Sequence, residues 1–167
     1  MLEAVRRVAE GLGDLVTEVA YTDGPEPVAR GLLIDRGSWS LLATDRGSYV
    51  AIGLRMTVPT RADHLMAGLS PDQWRAFVRL VENVSCQGRT ASLLDIETHR
   101  QALKAIVLEQ RVFEPDGSAA MNQRIADAIQ ELVITAVRVR AALARVLDLP
   151  PTPPRGRPQS EPGEMFG

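Results

Sequence analysis

The spacing of apolar residues changes from a helical period to a strand period within the first twenty positions. Apolar residues recur every three or four positions over residues 2–12, which predicts an amphipathic helix that Gly11 and Gly13 end. Segments of strand character follow at residues 15–21, 28–35, 38–44, 48–56, 89–97 and 102–113. The chain therefore predicts a four-strand meander and, later, two further strands.

The tetrapeptide Asp-Arg-Gly-Ser occurs twice, at residues 35–38 and 45–48, and each copy joins two of the predicted strands. Glycine tolerates the positive φ angle that short hairpin turns require, so both copies are predicted to be turns. Successive turns of a meander lie at opposite ends of the strand they share, and seven residues of strand span about 23 Å. The two copies therefore cannot form one small ligand site.

Capping signals mark the helices in the second half of the chain. A short helix is predicted from Thr60, and residues 70–73 combine an N-cap serine, a proline at the first helical position and a capping-box glutamine. Ser118 is predicted to cap a last helix over residues 119–147. These elements predict an α+β fold. Its antiparallel sheet, formed by the meander and the two further strands, packs against an N-terminal helix, a middle helix and a long C-terminal helix.

Length and composition are those of one globular domain, which we expect to span residues 1–149. Residues 150–167 contain six prolines and are predicted to form a disordered tail. The formal net charge of −2 gives no general attraction to nucleic acid or to an anionic membrane. No apolar run is long enough for a signal peptide or a membrane span. We therefore expect a cytoplasmic protein that binds neither nucleic acid nor membrane.

Cys86 is the only cysteine, which excludes an internal disulfide bond. It could act as a nucleophile with His64 or His99, but a lone cysteine near the end of an amphipathic helix is more often a small buried hydrophobic residue. The sequence contains no phosphate-binding glycine loop and no paired-cysteine motif. We therefore predict no catalytic residues and no cofactor.

Asp95, Glu97 and His99 are the best candidates for a metal site, because strand alternation would put all three side chains on one face. Carboxylate and imidazole groups at this spacing could bind a divalent cation. The face offers no obvious fourth ligand, and a solvated strand face carries the same residue types. We therefore predict no bound metal, and keep a metal-dependent enzyme at this face as an alternative.

Residues 70–84 and 104–143 contain three features of a known group of domains: a strand that ends in Phe113, an acidic-glycine turn at Asp116 and Gly117, and a long apolar helix with basic residues near its end. In these features the chain resembles the second half of small prokaryotic domains with the type III secretion chaperone-like fold, a group that includes YbjN-like proteins. The resemblance implies a chaperone-like domain that forms homodimers and holds extended segments of a client protein on its surface. It implies no catalytic residues.

The final helix carries more apolar residues than one buried stripe requires, which predicts self-association or partner binding. Ile134, Val137 and Arg138 are the predicted partner or dimer surface. The expected function is that of a non-enzymatic, homodimeric adaptor that binds another protein. An alternative is a roadblock- or longin-like scaffold for a small GTPase, although an uninterrupted four-strand first half departs from the element order of that fold.

Removal of residues 150–167 is predicted to leave the stability of the domain unchanged, because nothing in this proline-rich segment can anchor it to a core. A chain that ends at Leu149 should keep its melting temperature, measured by circular dichroism or calorimetry, within experimental error. A decrease of several degrees would show that the tail packs against the domain.

Overall fold

The structure, a computed structural model, describes residues 1–21, 29–113 and 118–147. The elements in chain order are α1 (Leu2–Gly11), β1 (Leu15–Tyr21), β2 (Ala29–Arg36), β3 (Trp39–Asp45), β4 (Tyr49–Thr57), α2 (Arg61–Ala67), α3 (Pro71–Ser85), β5 (Ala91–Glu97), a 3-10 turn (Thr98–Arg100), β6 (Ala102–Phe113) and α4 (Ala119–Val146). The predicted α+β fold is confirmed, and every strand begins and ends within two residues of its predicted bounds. The predicted tail at 150–167 and the predicted turn at Asp116 and Gly117 lie outside the described residues.

The six strands form one antiparallel sheet in the order β1-β2-β3-β4-β6-β5. β1 to β4 form the predicted meander. β6 then pairs with the whole length of β4, from Tyr49 opposite Phe113 to Thr57 opposite Ala105. β5 lies beyond β6, so β1 and β5 are the two edge strands of the sheet.

Both Asp-Arg-Gly-Ser segments form turns, as predicted, at opposite ends of β3. Gly37 and Gly47 have φ angles of 64° and 80°, in the region where a side chain would be strained. In the second turn the Gly47 amide donates to Asp45 Oδ1 at 2.9 Å, a local bond that favours the turn. Each turn therefore closes a separate hairpin, and the two do not converge.

Side-chain caps fix where α3 and α4 begin. The Gln73 amide donates to Ser70 Oγ at 3.3 Å, while the Ser70 amide donates to Gln73 Oε1 at 2.8 Å, which completes the predicted capping box. The Met121 amide donates to Ser118 Oγ at 3.2 Å, so Ser118 is the N-cap of α4, as predicted. Local sequence thus sets the start of both of these helices.

One face of the sheet, here called the inner face, carries the core. Its central row pairs Ile34 with Leu41, Leu41 with Leu54 and Leu54 with Leu108, and all four side chains are buried. The four α-helices bury their apolar residues in the same core, and α4, which contacts both α1 and α3, contributes most of them. Helices and sheet therefore form two layers around one core.

Candidate functional site

The opposite side of the sheet, here called the outer face, is not covered by any helix of residues 1–21, 29–113 or 118–147. Strand register places Leu33 beside Leu42 and Leu93 beside Val107 on this face, since the neighbours of these residues along each strand face the core. The apolar side chains of the outer face, here called the outer apolar set, are Leu15, Val19, Leu33, Leu42, Leu93, Val107 and Phe113.

Three members of the outer apolar set are the most exposed large hydrophobic residues in the described part of the chain. Leu15, Leu93 and Phe113 expose 67%, 69% and 58% of their surface. Single exposed apolar residues are common on soluble proteins, but these three share one face with the partly buried members of the set. Six strands spaced by about 4.8 Å make this face about 24 Å wide. The outer face is therefore broad enough to contact another macromolecule.

Charged side chains at one side of the outer face are paired with each other. Arg55 Nη2 lies 3.4 Å from Asp95 Oδ2, and Arg111 Nε donates to Glu109 Oε1 at 2.8 Å. The hydrogen bond to Glu109, together with the negative charge of that carboxylate, raises the pKa of the Arg111 guanidinium above its ordinary value. These four charges cancel in pairs, so this side of the outer face carries no net charge.

The two carboxylates among the candidate metal ligands are paired with basic side chains. β5 ends at Glu97 and His99 lies in the 3-10 turn that follows, so the prediction that strand alternation aligns all three residues was wrong for His99. Glu97 lies 3.0 Å from His99 Nε2 and 3.5 Å from Lys104 Nζ, while Asp95 pairs with Arg55. No three His, Cys, Asp or Glu side chains of the described residues are grouped to hold a metal ion.

Cys86 follows α3 and is exposed, so the prediction that it is a small buried hydrophobic residue was wrong. Its Sγ lies 2.9 Å from the Ser92 hydroxyl near the start of β5. His64 and His99 line a cleft at the other end of β5, which places about 17 Å of strand between Ser92 and that cleft. Cys86 therefore does not form a nucleophile pair with either histidine.

The cleft lies between α2 and the turn that joins β5 to β6, and has a volume of about 670 Å³. It is lined by both histidines of the chain, by Asp63 and by Lys104, the only lysine. Lys104 Nζ donates to Asp63 Oδ2 at 2.5 Å and lies 3.5 Å from Glu97 Oε2. The hydrogen bond to Asp63 is the main cause that raises the pKa of Lys104 above its ordinary value. These ion pairs link β6 to α2 and to the end of β5.

A β-bulge gives Lys104 its position. Two consecutive residues of β5, Asp95 and Ile96, pair with Ala105 and Leu103. Lys104 is therefore the extra residue of β6. The Lys104 carbonyl instead accepts from the Val58 amide at 2.9 Å. Gln101, in the preceding turn, has a φ angle of 49°, the only left-handed conformation of a non-glycine residue within the described ranges. The bulge therefore directs the lysine towards Asp63 and ties β6 to α2.

The predicted partner surface on α4 lies on the side of the helix that faces away from the core. Ile134 and Val137 expose 42% and 51% of their surface, and Arg138 Nη1 donates to Gln87 Oε1 at 2.9 Å. The role of these residues in binding stays a prediction. α4 is the longest helix described, and none of the described helices has both the length and the apolarity that a membrane span requires.

The sequence analysis missed the outer apolar set, although the strands carry a signal for it. Several strands have apolar residues at consecutive positions, such as Leu32 with Leu33 and Leu41 with Leu42, so that both faces of the sheet are apolar. This pattern indicates a sheet that is covered on both faces. The described helices cover only the inner one.

Solved structures that are similar to this chain include the following two. The crystal structure of an uncharacterised protein from Methanothermobacter thermautotrophicus aligns with a TM-score of 0.69 over 86% of this chain and 96% of that chain, at 12% sequence identity. This similarity shows a shared fold. YbjN, a proposed transcription regulator from E. coli, aligns with a TM-score of 0.48 over 89% of this chain and 90% of that chain, at 13% identity, a similarity too weak to support an argument. No family model and no curated protein matches the sequence.

The substitution Lys104→Met is predicted to lower the melting temperature by a few degrees at pH 7, because Asp63 and Glu97 would lose the cation between them. Since the pKa of Lys104 is raised in the folded state, its contribution to stability is present below the unfolded-state pKa and is lost as the pH rises through the folded-state pKa. The difference between wild type and Lys104→Met should therefore shrink in strongly alkaline solution. Lys104→Arg keeps the charge and is the matched control.

The titration of Lys104 can be followed directly, because it is the only lysine and its ε-methylene group gives a single lysine signal in NMR spectra. We expect a pKa above the ordinary lysine value, set by the hydrogen bond to Asp63. A pKa at or below the ordinary value, or equal melting temperatures for wild type and Lys104→Met at pH 7, would contradict this account of the cleft.

Proposed function

We propose that the protein is a non-enzymatic, dimeric adaptor or chaperone-like module that binds an apolar segment of another protein on the outer face of its sheet. The observation that carries this proposal is the exposure of Leu15, Leu93 and Phe113 on one side of the sheet. Complete burial of one such side chain contributes about 1.5–3 kcal/mol. A partner that covers the outer apolar set would therefore gain hydrophobic stabilisation that the described part of the chain does not use.

The outer face favours an uncharged partner. Arg55 is paired with Asp95, and Arg111 is paired with Glu109, so a charged ligand would compete with contacts that already exist. Nucleic acid and anionic membranes are bound by surfaces rich in unpaired basic groups. The apolar side chains beside these pairs need no charge on the partner, which supports a protein segment as the ligand.

An extended segment fits the edges of this sheet. β1 and β5 are edge strands, and the outward backbone groups of each pair with no described strand. Leu15 lies on one edge strand and Leu93 on the other. A client segment can therefore add to an edge through backbone hydrogen bonds while its alternate side chains contact the outer apolar set. This mode of binding agrees with the one that the resemblance to secretion chaperones implies.

The two alternative functions have less support. A roadblock- or longin-like scaffold for a small GTPase would have a helix between its second and third strands, whereas a two-residue turn joins β2 to β3 here. A metal-dependent enzyme at Asp95, Glu97 and His99 would need carboxylates that are not already paired with Arg55 and Lys104. Neither function makes use of the outer apolar set.

The double variant Leu15→Asp/Leu93→Asp is predicted to lose the binding of apolar segments while keeping the fold, because both side chains are exposed. The assay follows by light scattering the aggregation of a chemically unfolded reporter protein that is diluted into buffer with or without the chain. Wild type should suppress this aggregation at a near-equimolar ratio, and the double variant should lose most of the effect.

The matched control is Leu65→Asp/Leu80→Asp, which adds the same two charges at exposed leucines of α2 and α3. This control should suppress aggregation as wild type does. An equal loss in both double variants, or no suppression by wild type, would show that the outer face is not the binding surface. Circular dichroism of each variant checks that the fold is retained.

A further inference from the structure

α4 presents a strip of residues on the side that faces away from the core. Ile134 and Val137 lie at the centre of this strip, Asp127 lies towards its N-terminal end and Arg145 towards its C-terminal end, and all four residues are exposed. Asp127 and Arg145 are eighteen positions apart, which equals five turns of an α-helix. The two charges therefore lie on one line along the helix surface, with Ile134 close to that line and Val137 about 80° to one side of it.

The midpoints of the charged pair and of the apolar pair are half a residue apart. Ile134 and Val137 are centred between positions 135 and 136, and Asp127 and Arg145 are centred on position 136. The strip is thus negative at one end, apolar in the middle and positive at the other end. A surface with this arrangement is complementary to itself when a second copy is turned end over end, as two-fold symmetry requires.

We propose that a second copy of this chain covers the α4 strip, with the two α4 helices antiparallel about a two-fold axis near position 136. In this arrangement Ile134 of one copy packs against Val137 of the other, and Asp127 of each copy faces Arg145 of the other. The inference rests on the dimeric part of the proposed function and gives the dimer a geometry. It uses the apolar residues of the α4 surface predicted from the sequence.

Charge decides the orientation of the two helices. A parallel pair would place Asp127 beside Asp127 and Arg145 beside Arg145, which is repulsive at both ends. The antiparallel pair joins opposite charges at both ends, about 13 Å on either side of the axis. The same residues therefore favour one orientation and oppose the other.

Of the other charged groups of α4 on this side, Glu131 and Arg138 are engaged within the chain, and the exposed Arg124 lies about 60° around the helix from Asp127. The Arg89 amide donates to Glu131 Oε1 at 3.3 Å, and Arg138 donates to the segment that follows α3. These contacts hold both side chains towards α3. Asp127 Oδ1 accepts from Gln123 Nε2 of the same helix at 2.7 Å, so Asp127 and Arg145 are the two charges on this line that no contact holds towards α3.

Charge reversal tests this pairing. Asp127→Arg and Arg145→Asp each bring like charges together at both ends, and either single variant should raise the dimer dissociation constant about tenfold or more. Asp127→Arg/Arg145→Asp restores opposite charges at both ends and should bring the dissociation constant back to within about threefold of wild type. Sedimentation velocity of the full chain, over a dilution series in the micromolar range, measures the constant against a monomer mass of 18.2 kDa.

Two further variants complete the experiment. Arg79→Asp reverses an exposed charge on α3 and should leave the dissociation constant unchanged. Ile134→Lys puts a charge into the apolar centre and should weaken the dimer without a change in the fold, since Ile134 is exposed. Circular dichroism of every variant checks folding, and the double variant guards against misreading an unfolded single variant as a weakened dimer.

Two outcomes would overturn the inference in different ways. A wild-type dimer that no reversal weakens, or a double variant no tighter than the single ones, would exclude the antiparallel α4 pair and leave a dimer that forms elsewhere. A mass of 18.2 kDa at every concentration would exclude the dimer itself. The aggregation assay uses variants of the outer face, so client binding and the α4 pair can fail independently.

Discussion

Packing of every described helix against one face of a six-stranded sheet is the constraint on which this molecule depends. The inner row from Ile34 to Leu108 crosses four adjacent strands and is buried throughout, and α4 supplies most of the helical residues that cover it. A sheet covered in this way has a second face that must contact water or a partner. Both surfaces considered for binding follow from this arrangement. No described helix covers the outer face, and α4 has a far side that faces away from the core.

Polar residues in the described part of the chain link distant elements of the fold. The bulge at Lys104 directs the only lysine to Asp63 and Glu97, and so links β6 to α2 and to the end of β5. The same contacts raise the pKa of Lys104 above its ordinary value. They join three elements that lie far apart in the sequence.

Features that depend on neighbouring residues could be predicted from the sequence. The turns at Gly37 and Gly47 require a positive φ angle, and the caps at Ser70 and Ser118 are bonds across three residues, so short patterns determine them. The α+β order of elements followed from apolar periodicity for the same reason. The exposure of Ile134 and Val137 could also be anticipated, because α4 carries more apolar residues than one stripe needs.

Features that depend on the arrangement of distant elements could not be predicted in this way. Cys86 is exposed because the chain leaves α3 there to enter β5, although a helical pattern alone favours burial. His99 leaves the face of Asp95 because β5 ends two residues earlier. The outer apolar set could not be recognised because an apolar residue such as Leu33 or Leu42 is typical of the core. Only the strand register shows which side of the sheet these residues occupy.

The outer face and the α4 strip lie on opposite sides of the two layers, so one molecule can use both surfaces at once. Pairing through α4 would join the helical layers and leave both outer faces accessible, pointing away from each other. Sheet, helix, helix and sheet would be stacked at spacings of about 10 Å, so the two outer faces would be about 30 Å apart.

A client with two apolar segments could occupy both faces if the chain between them passed around the dimer. At about 3.3 Å per extended residue this path takes a few tens of residues, and the second contact would then be intramolecular and tighter overall. The dimer would therefore favour long unfolded clients over short peptides, although each outer face binds by the same apolar contacts.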